Sequence, residues 1–219
     1  MYPINLLIRF VVKDIMRSDF FNYKYQMRMK KFLFIIGIIF SLIGPSVQAQ
    51  QENVFTNVPE INGKVVFQQF IHTHSGLDED QSYAILYKWG KDNYANNPLL
   101  AGIRFNDKDY NITVSSKVEL LLPENSQGVR EKMMMNYRFD ASITNAGCVL
   151  KVRDVTYQTV REKGKSFFPK TSSAEEMITD NAINSVSNDK ELKENLRKST
   201  LYFLNELYND LKKELSVSN

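Results

Sequence analysis

From Arg130 to Thr144 the side chains alternate with a period of two. Met133, Met135, Tyr137, Phe139, Ala141 and Ile143 point one way; Lys132, Met134, Asn136, Arg138, Asp140 and Ser142 point the other. A period of two is strand geometry, and an apolar set on one side only describes a sheet covered on one face and open on the other. The neighbouring segments repeat the pattern. Tyr110, Ile112, Val114, Val118, Leu120 and Leu122 share a face within Tyr110 to Leu122. Cys148, Leu150 and Val152 open the next strand in one phase, and Val155 and Tyr157 continue it in the other. A one-residue phase slip is what a β-bulge produces, which places one near Arg153-Asp154. Asn145-Ala146-Gly147 and Pro123 to Gly128 read as the turns between these strands.

Two further strands are expected at Lys64 to Thr73 and Leu100 to Asn106. Between them Asp78 to Asn96 reads as a helix, with Ser75 or Asp78 as N-cap and acidic residues in its first turn. Tyr83, Leu86, Gly90 and Tyr94 fall at helical spacing, with Ile85 and Trp89 beside them. Gly90 lowers helix propensity by about 1 kcal/mol and allows close packing on a sheet. Ser173-Ala174-Glu175-Glu176 is a capping box opening a short helix through Ile183. A longer helix follows from Asp189 to Leu215, with Leu192, Leu196, Phe203, Leu207, Leu211 and Leu215 as its apolar stripe. Phe203→Ala is accordingly expected to cost about 3 to 5 kcal/mol as a buried truncation. The fold class is α+β: an antiparallel five-stranded sheet covered on one face by helices, in the order β-α-β-β-β-β-α-α.

Met29 to Ala49 reads as an export signal. Lys30 and Lys31 form its positive region, Phe32 to Ile43 its apolar run, and Val47-Gln48-Ala49 a small-residue cleavage site. The apolar run is short of the roughly 20 helical residues a bilayer requires. Residues 1–28 precede a complete signal, which a start at Met27 or Met29 explains; an extended leading region is the alternative. Residues 50–62 read as a polar leader, 63–162 as the α+β domain, and 170–217 as C-terminal helices packing on the sheet. Of 28 basic and 25 acidic residues, seven basic and two acidic lie in residues 1–49, so the remainder carries a net charge of −2. That balance argues against a nucleic-acid partner, which demands a strong basic field. Gln50, not a cysteine, stands directly after the cleavage site, so a lipoprotein anchor is not expected, and the lone Cys148 leaves stability to a hydrophobic core.

Several segments resemble the domain-of-unknown-function family 4468 of exported Bacteroidota proteins. They are the Gly63-Lys64-Val65-Val66-Phe67 opening, the Lys88-Trp89 pair, the Asp107-Lys108-Asp109 turn, and the run from Gly147-Cys148-Val149-Leu150-Lys151-Val152 to Val155-Thr156-Tyr157. The resemblance covers roughly Gly63 to Tyr157. Family members carry a glycine just after the acid turn, where this chain has Tyr110-Asn111. The resemblance implies a TBP-like fold and an address outside the cytoplasm, periplasmic or secreted. It implies no mechanism, since a fold does not fix a function.

The residues able to carry chemistry are few. His72 and His74 share a face only if the first strand runs through His74; with Asp78, Glu79 and Asp80 nearby they are the candidates for a metal, which needs three or four ligands at fixed geometry. Cys148, in phase with Leu150 and Val152, reads as a core residue rather than a nucleophile. Glu119, Glu131, Asp140 and Asp154 are interleaved with Lys117, Lys132, Arg138 and Arg153, the pattern of cross-strand ion pairs. No nucleophile–base constellation and no cofactor motif is legible, so a hydrolase ranks third among the functional expectations. First is a non-enzymatic module binding an envelope protein, peptide or glycan through the polar face (Lys132, Met134, Asn136, Arg138, Asp140) or through an unpaired edge strand. Second is a carrier of a small apolar ligand, with a pocket between sheet and long helix near Tyr137, Phe139 and Phe203.

Overall fold

The computed structural model describes residues 52–96, 98–159, 171–185 and 189–216. The upstream extension and the signal segment lie outside the described residues. The chain begins with a small hairpin, β1 (Glu60–Ile61) and β2 (Lys64–Val65), turning through Asn62 and Gly63. β3 (Phe67–Ile71) follows, then α1 (Glu79–Gly90), which widens into a π-helical turn over Lys91–Ala95. Next come β4 (Ala101–Asn106), β5 (Asn111–Glu124), β6 (Arg130–Thr144) and β7 (Gly147–Thr159). β8 (Thr171–Ser173), α2 (Ala174–Met177), α3 (Asp180–Asn184) and α4 (Lys190–Ser216) complete the order.

The main sheet is antiparallel, ordered β3-β7-β6-β5-β4. It has six strands rather than the expected five, because β8 pairs with β7 over Thr156 to Gln158, next to the stretch that β3 occupies. A three-residue strand carries no periodicity long enough to read from sequence. The bulge falls where the phase slips. Pairing jumps between Asn136 and Arg138 on β6, opposite Asp154, whose φ is 55°. The Asp107-Lys108-Asp109 turn ends on Tyr110 at φ 48°, the left-handed conformation a glycine adopts without strain. Tyr110 is held there from both ends: its hydroxyl donates to Asp80 Oδ1 at 2.7 Å, and its carbonyl accepts from Ile143 N at 2.9 Å.

The buried face carries Met133, Met135, Tyr137, Phe139, Ala141 and Ile143 as the alternation requires. α1 and α4 lie on it. Trp89 of α1 and Tyr94 of the π-turn pack on Phe139, and Phe203 of α4 packs edge-on against Tyr137 at 5.1 Å. Trp89 Nε1 donates to Asp210 Oδ2 at 2.8 Å, tying the two helices together. Gly90 is the close approach: a Cβ there would sit 2.9 Å from Ile103 Cδ1 and 3.0 Å from Ile112 Cδ1. On α4 the fully buried apolar residues are Leu196, Leu204, Leu211 and Leu215, whereas Leu192 and Phe203 are only half-buried. The expected 3 to 5 kcal/mol for Phe203→Ala, which assumes full burial, is therefore too large.

The expected single helix from Ser173 to Ile183 is two short ones. Ser173 and Glu176 form the capping box of α2, and Thr179 re-caps the chain as the N-cap of α3. Helices this short have little stability of their own. α4 supplies it: Arg197 Nε donates to Ile178 O at 2.6 Å and Lys193 Nζ to Ala182 O at 3.2 Å, satisfying carbonyls at the ends of both helices.

The leader corrects a second expectation. It is not a loose polar segment but lies along α4, with Phe55 buried between Phe67 and Tyr208. Asn205 accepts from Phe55 N at 2.9 Å and donates to Phe55 O at 3.1 Å. One turn on, Asn209 does the same to Glu52, accepting at 3.2 Å and donating at 3.0 Å. Two carboxamides spaced i, i+4 thus clamp two leader residues three apart, each through both its backbone N–H and its C=O.

Candidate functional site

β4 is shorter than β5, and that difference creates an edge. The last β4 pair is Ala101 with Ser116, while β5 runs on to Glu124. Lys117 N still reaches back to Leu100 O at 3.1 Å, so the backbone groups of Lys117, Glu119 and Leu121 point away from β6. Leu121 O confirms the direction by accepting from Ser199 Oγ of α4 at 3.3 Å. Among the described residues no strand pairs with Val118 to Glu124 on that side.

Beside this edge the sheet and α4 separate. They meet where Phe203 packs on Tyr137, at the bond from Ser199 Oγ to Leu121 O, and, farther along, where Ser126 Oγ donates to Glu191 at 2.9 Å. A groove of about 620 Å³ borders these contacts, lined mainly by Val118, Leu120, Leu122, Tyr202 and Phe203. Leu121 and Tyr202 are 52% and 65% exposed, an apolar lip that the fold leaves uncovered. Arg130, Lys198 and Glu206 rim it. The volume between sheet and long helix thus exists, but it is an open groove displaced along β5. At Tyr137 and Phe139 themselves, where the carrier pocket was expected, aromatic rings fill the space.

The five expected interaction residues of β6 lie together on the open face, and most are engaged there. Lys132 pairs with Glu119 at 2.6 Å, and Asp140 accepts from Thr113 at 2.8 Å and from Arg153 at 2.9 Å. Asn136 reaches Thr156 at 3.5 Å, and Met134 is half-buried. Of the four charged or polar residues, Arg138 is the one with no side-chain partner among the described residues, and its buried Nε is unbonded.

His72 and His74 are not brought together with acids. β3 ends at Ile71, so the condition for a shared face is not met. Asp78 is spent capping α1, Asp80 accepts from Tyr110, and among the described residues no cluster of three potential metal ligands forms. Cys148 is fully buried, and burial pushes its thiol up to about 12, the chemistry of a packed core side chain.

These features define an α+β module with one helix-covered face, one open face and one unpaired edge. Two solved structures share the fold. A TBP-like protein from Parabacteroides distasonis matches with a TM-score of 0.60 and 23% identity, over 72% of this chain and 96% of its own. A DUF4468 family protein from Bacteroides ovatus matches with a TM-score of 0.58 and 19% identity, over 74% and 91%. The fold is TBP-like, and both neighbours come from the group of bacteria that the sequence resemblance points to. No family model matches the chain, and no curated protein does.

Proposed function

We propose that this protein is an exported binding module that takes up an extended apolar segment of a partner as an added strand on the outer edge of β5. The observation that carries the reading is the coincidence of a free edge from Val118 to Glu124 with an apolar groove alongside it. An added strand bonds to the outward backbone groups of Glu119 and Leu121. Every second side chain then enters the groove against Tyr202 and Phe203, giving backbone affinity and side-chain specificity together. Export rests on the signal-like segment from Met29 to Ala49. It is compatible with the described residues, none of whose helices is long and apolar enough to cross a membrane.

The groove's apolar lining also favours a second reading, a small hydrophobic ligand carried without backbone pairing. Fluorescent peptides of about eight residues, apolar at alternate positions, separate the two by anisotropy titration. Strand addition predicts saturable binding that weakens about tenfold or more in Glu119→Pro. That substitution removes one outward N–H while keeping the apolar side chains that line the groove. Amide exchange at Glu119 and Leu121 should slow in the complex. Binding that survives Glu119→Pro but is lost in Tyr202→Ala supports the carrier instead, and no saturable binding overturns both.

A further inference from the structure

Gly102 sits within β4 on the open face, where a strand residue ordinarily packs a side chain on its neighbours. A Cβ built there meets nothing within 4 Å. The space belongs to a depression of about 520 Å³ on the side of the sheet away from the helices. Its floor is the cross-strand row Gly102, Ser115 and Arg138, with Lys117 and Asn136 in the next row. One wall is apolar: Leu99 and Leu100, 85% and 45% exposed, overhang it from the loop before β4.

The charges around the depression are unevenly matched. Arg153 takes both nearby carboxylates, Asp140 at 2.9 Å and Asp154 at 3.0 Å. Glu119 is held by Lys132 at 2.6 Å. Arg138, flanked by Arg153 across the strand pair, has no carboxylate partner among the described residues. Two guanidinium charges side by side with only one of them neutralised favour an anion at the second, reached through the part of Arg138 that lines the depression.

We propose that this depression binds a small aliphatic carboxylate, its carboxylate on Arg138 and Lys117 and its hydrocarbon on Leu99 and Leu100. A single negative charge suits the site better than phosphate, because the Asp154 carboxylate also lines it. Gly102 matters because any side chain there would occupy the ligand's place. The site shares no residue with the β5 groove, so its failure leaves the peptide reading untouched.

Titration of ¹⁵N-labelled protein with hexanoate, followed by amide NMR, tests the assignment. Saturable shifts are expected at Gly102, Ser115 and Arg138. Arg138→Gln should weaken them about tenfold or more, and Gly102→Leu should abolish them with the thermal midpoint retained. Inorganic phosphate and hexanol, which each lack half the ligand, should leave the same amides in place. Shifts that persist in Gly102→Leu, that phosphate reproduces equally, or that fail to appear with hexanoate overturn the proposal.

Discussion

Two glycines, one opening a strand and one ending a helix packed on the sheet, tolerate a methyl group very differently. Gly147 opens β7 at φ 147°, and a Cβ there would lie 2.4 Å from the carbonyl oxygen of Ile71. Backbone cannot step aside without breaking the β3–β7 ladder, in which Ile71 pairs with Cys148. Gly90 would crowd only the Cδ1 ends of Ile103 and Ile112, which can rotate, and alanine there recovers about 1 kcal/mol of helix propensity. Gly147→Ala should therefore destabilise by at least about 2 kcal/mol, overpacking and an unfavourable φ adding together. Gly90→Ala should stay within about 1 kcal/mol of the parent. Urea unfolding of the pair checks the contrast, and equal losses would mean that Gly147 is not the tighter position. Tyr110 shows the reverse substitution: a bulky residue where relatives of the resembled family keep glycine, tolerated because Asp80 and the Tyr83 ring hold its side chain.

Among the elements, the leader clamp on α4 is the one whose stability is concentrated in two side chains. Asn205 is 6% exposed, and its removal leaves both Phe55 N and Phe55 O without partners in a buried setting. Each orphaned group costs about 1 to 3 kcal/mol, so Asn205→Ala should lose about 2 to 6 kcal/mol. Asn209 bonds to exposed Glu52 groups that water can serve, so Asn209→Ala should lose less than about 1 kcal/mol. Denaturant unfolding measures both, and limited proteolysis before Pro59 should accelerate in Asn205→Ala alone. The clamp was not legible in the sequence because asparagines on a helix read as solvent-facing, and Val54, Phe55 and Val58 are too few to set a period. The long strands, the bulge at Asp154 and the α4 stripe were legible, since alternation over many residues has one structural solution. β8 and the β1–β2 hairpin were not, being shorter than any period. The β5 edge escaped for a different reason: it is a mismatch in strand length, visible only once the register of Ala101 against Ser116 is known.

At the scale of the molecule, one helix-covered face concentrates titratable groups in a dry layer, and this sets the alkaline limit of the fold. Burial raises the phenols of Tyr94, Tyr137 and Tyr157 above their ordinary value. It also raises the Cys148 thiol from 9.0 to about 12. In each case the folded state holds its proton after the unfolded chain has released it, so stability falls as pH rises. The contribution is complete below the unfolded pKa and is lost on the way to the folded one. Between about pH 9 and 10 Cys148 is the principal group in this layer to act, with a limiting slope of about 1.4 kcal/mol per pH unit; above about pH 10 the tyrosines add to it. Urea unfolding at intervals from pH 7 to 11 should therefore show a plateau, a shallow decline and then a steep one. Cys148→Ala should abolish the shallow decline and leave the steep one, with the phenolate absorbance of Tyr94, Tyr137 and Tyr157 rising only as the protein unfolds. Phenolate absorbance that saturates before unfolding would mean that water reaches the tyrosines in the native state. The helices would then not seal the face on which both the groove and the core depend.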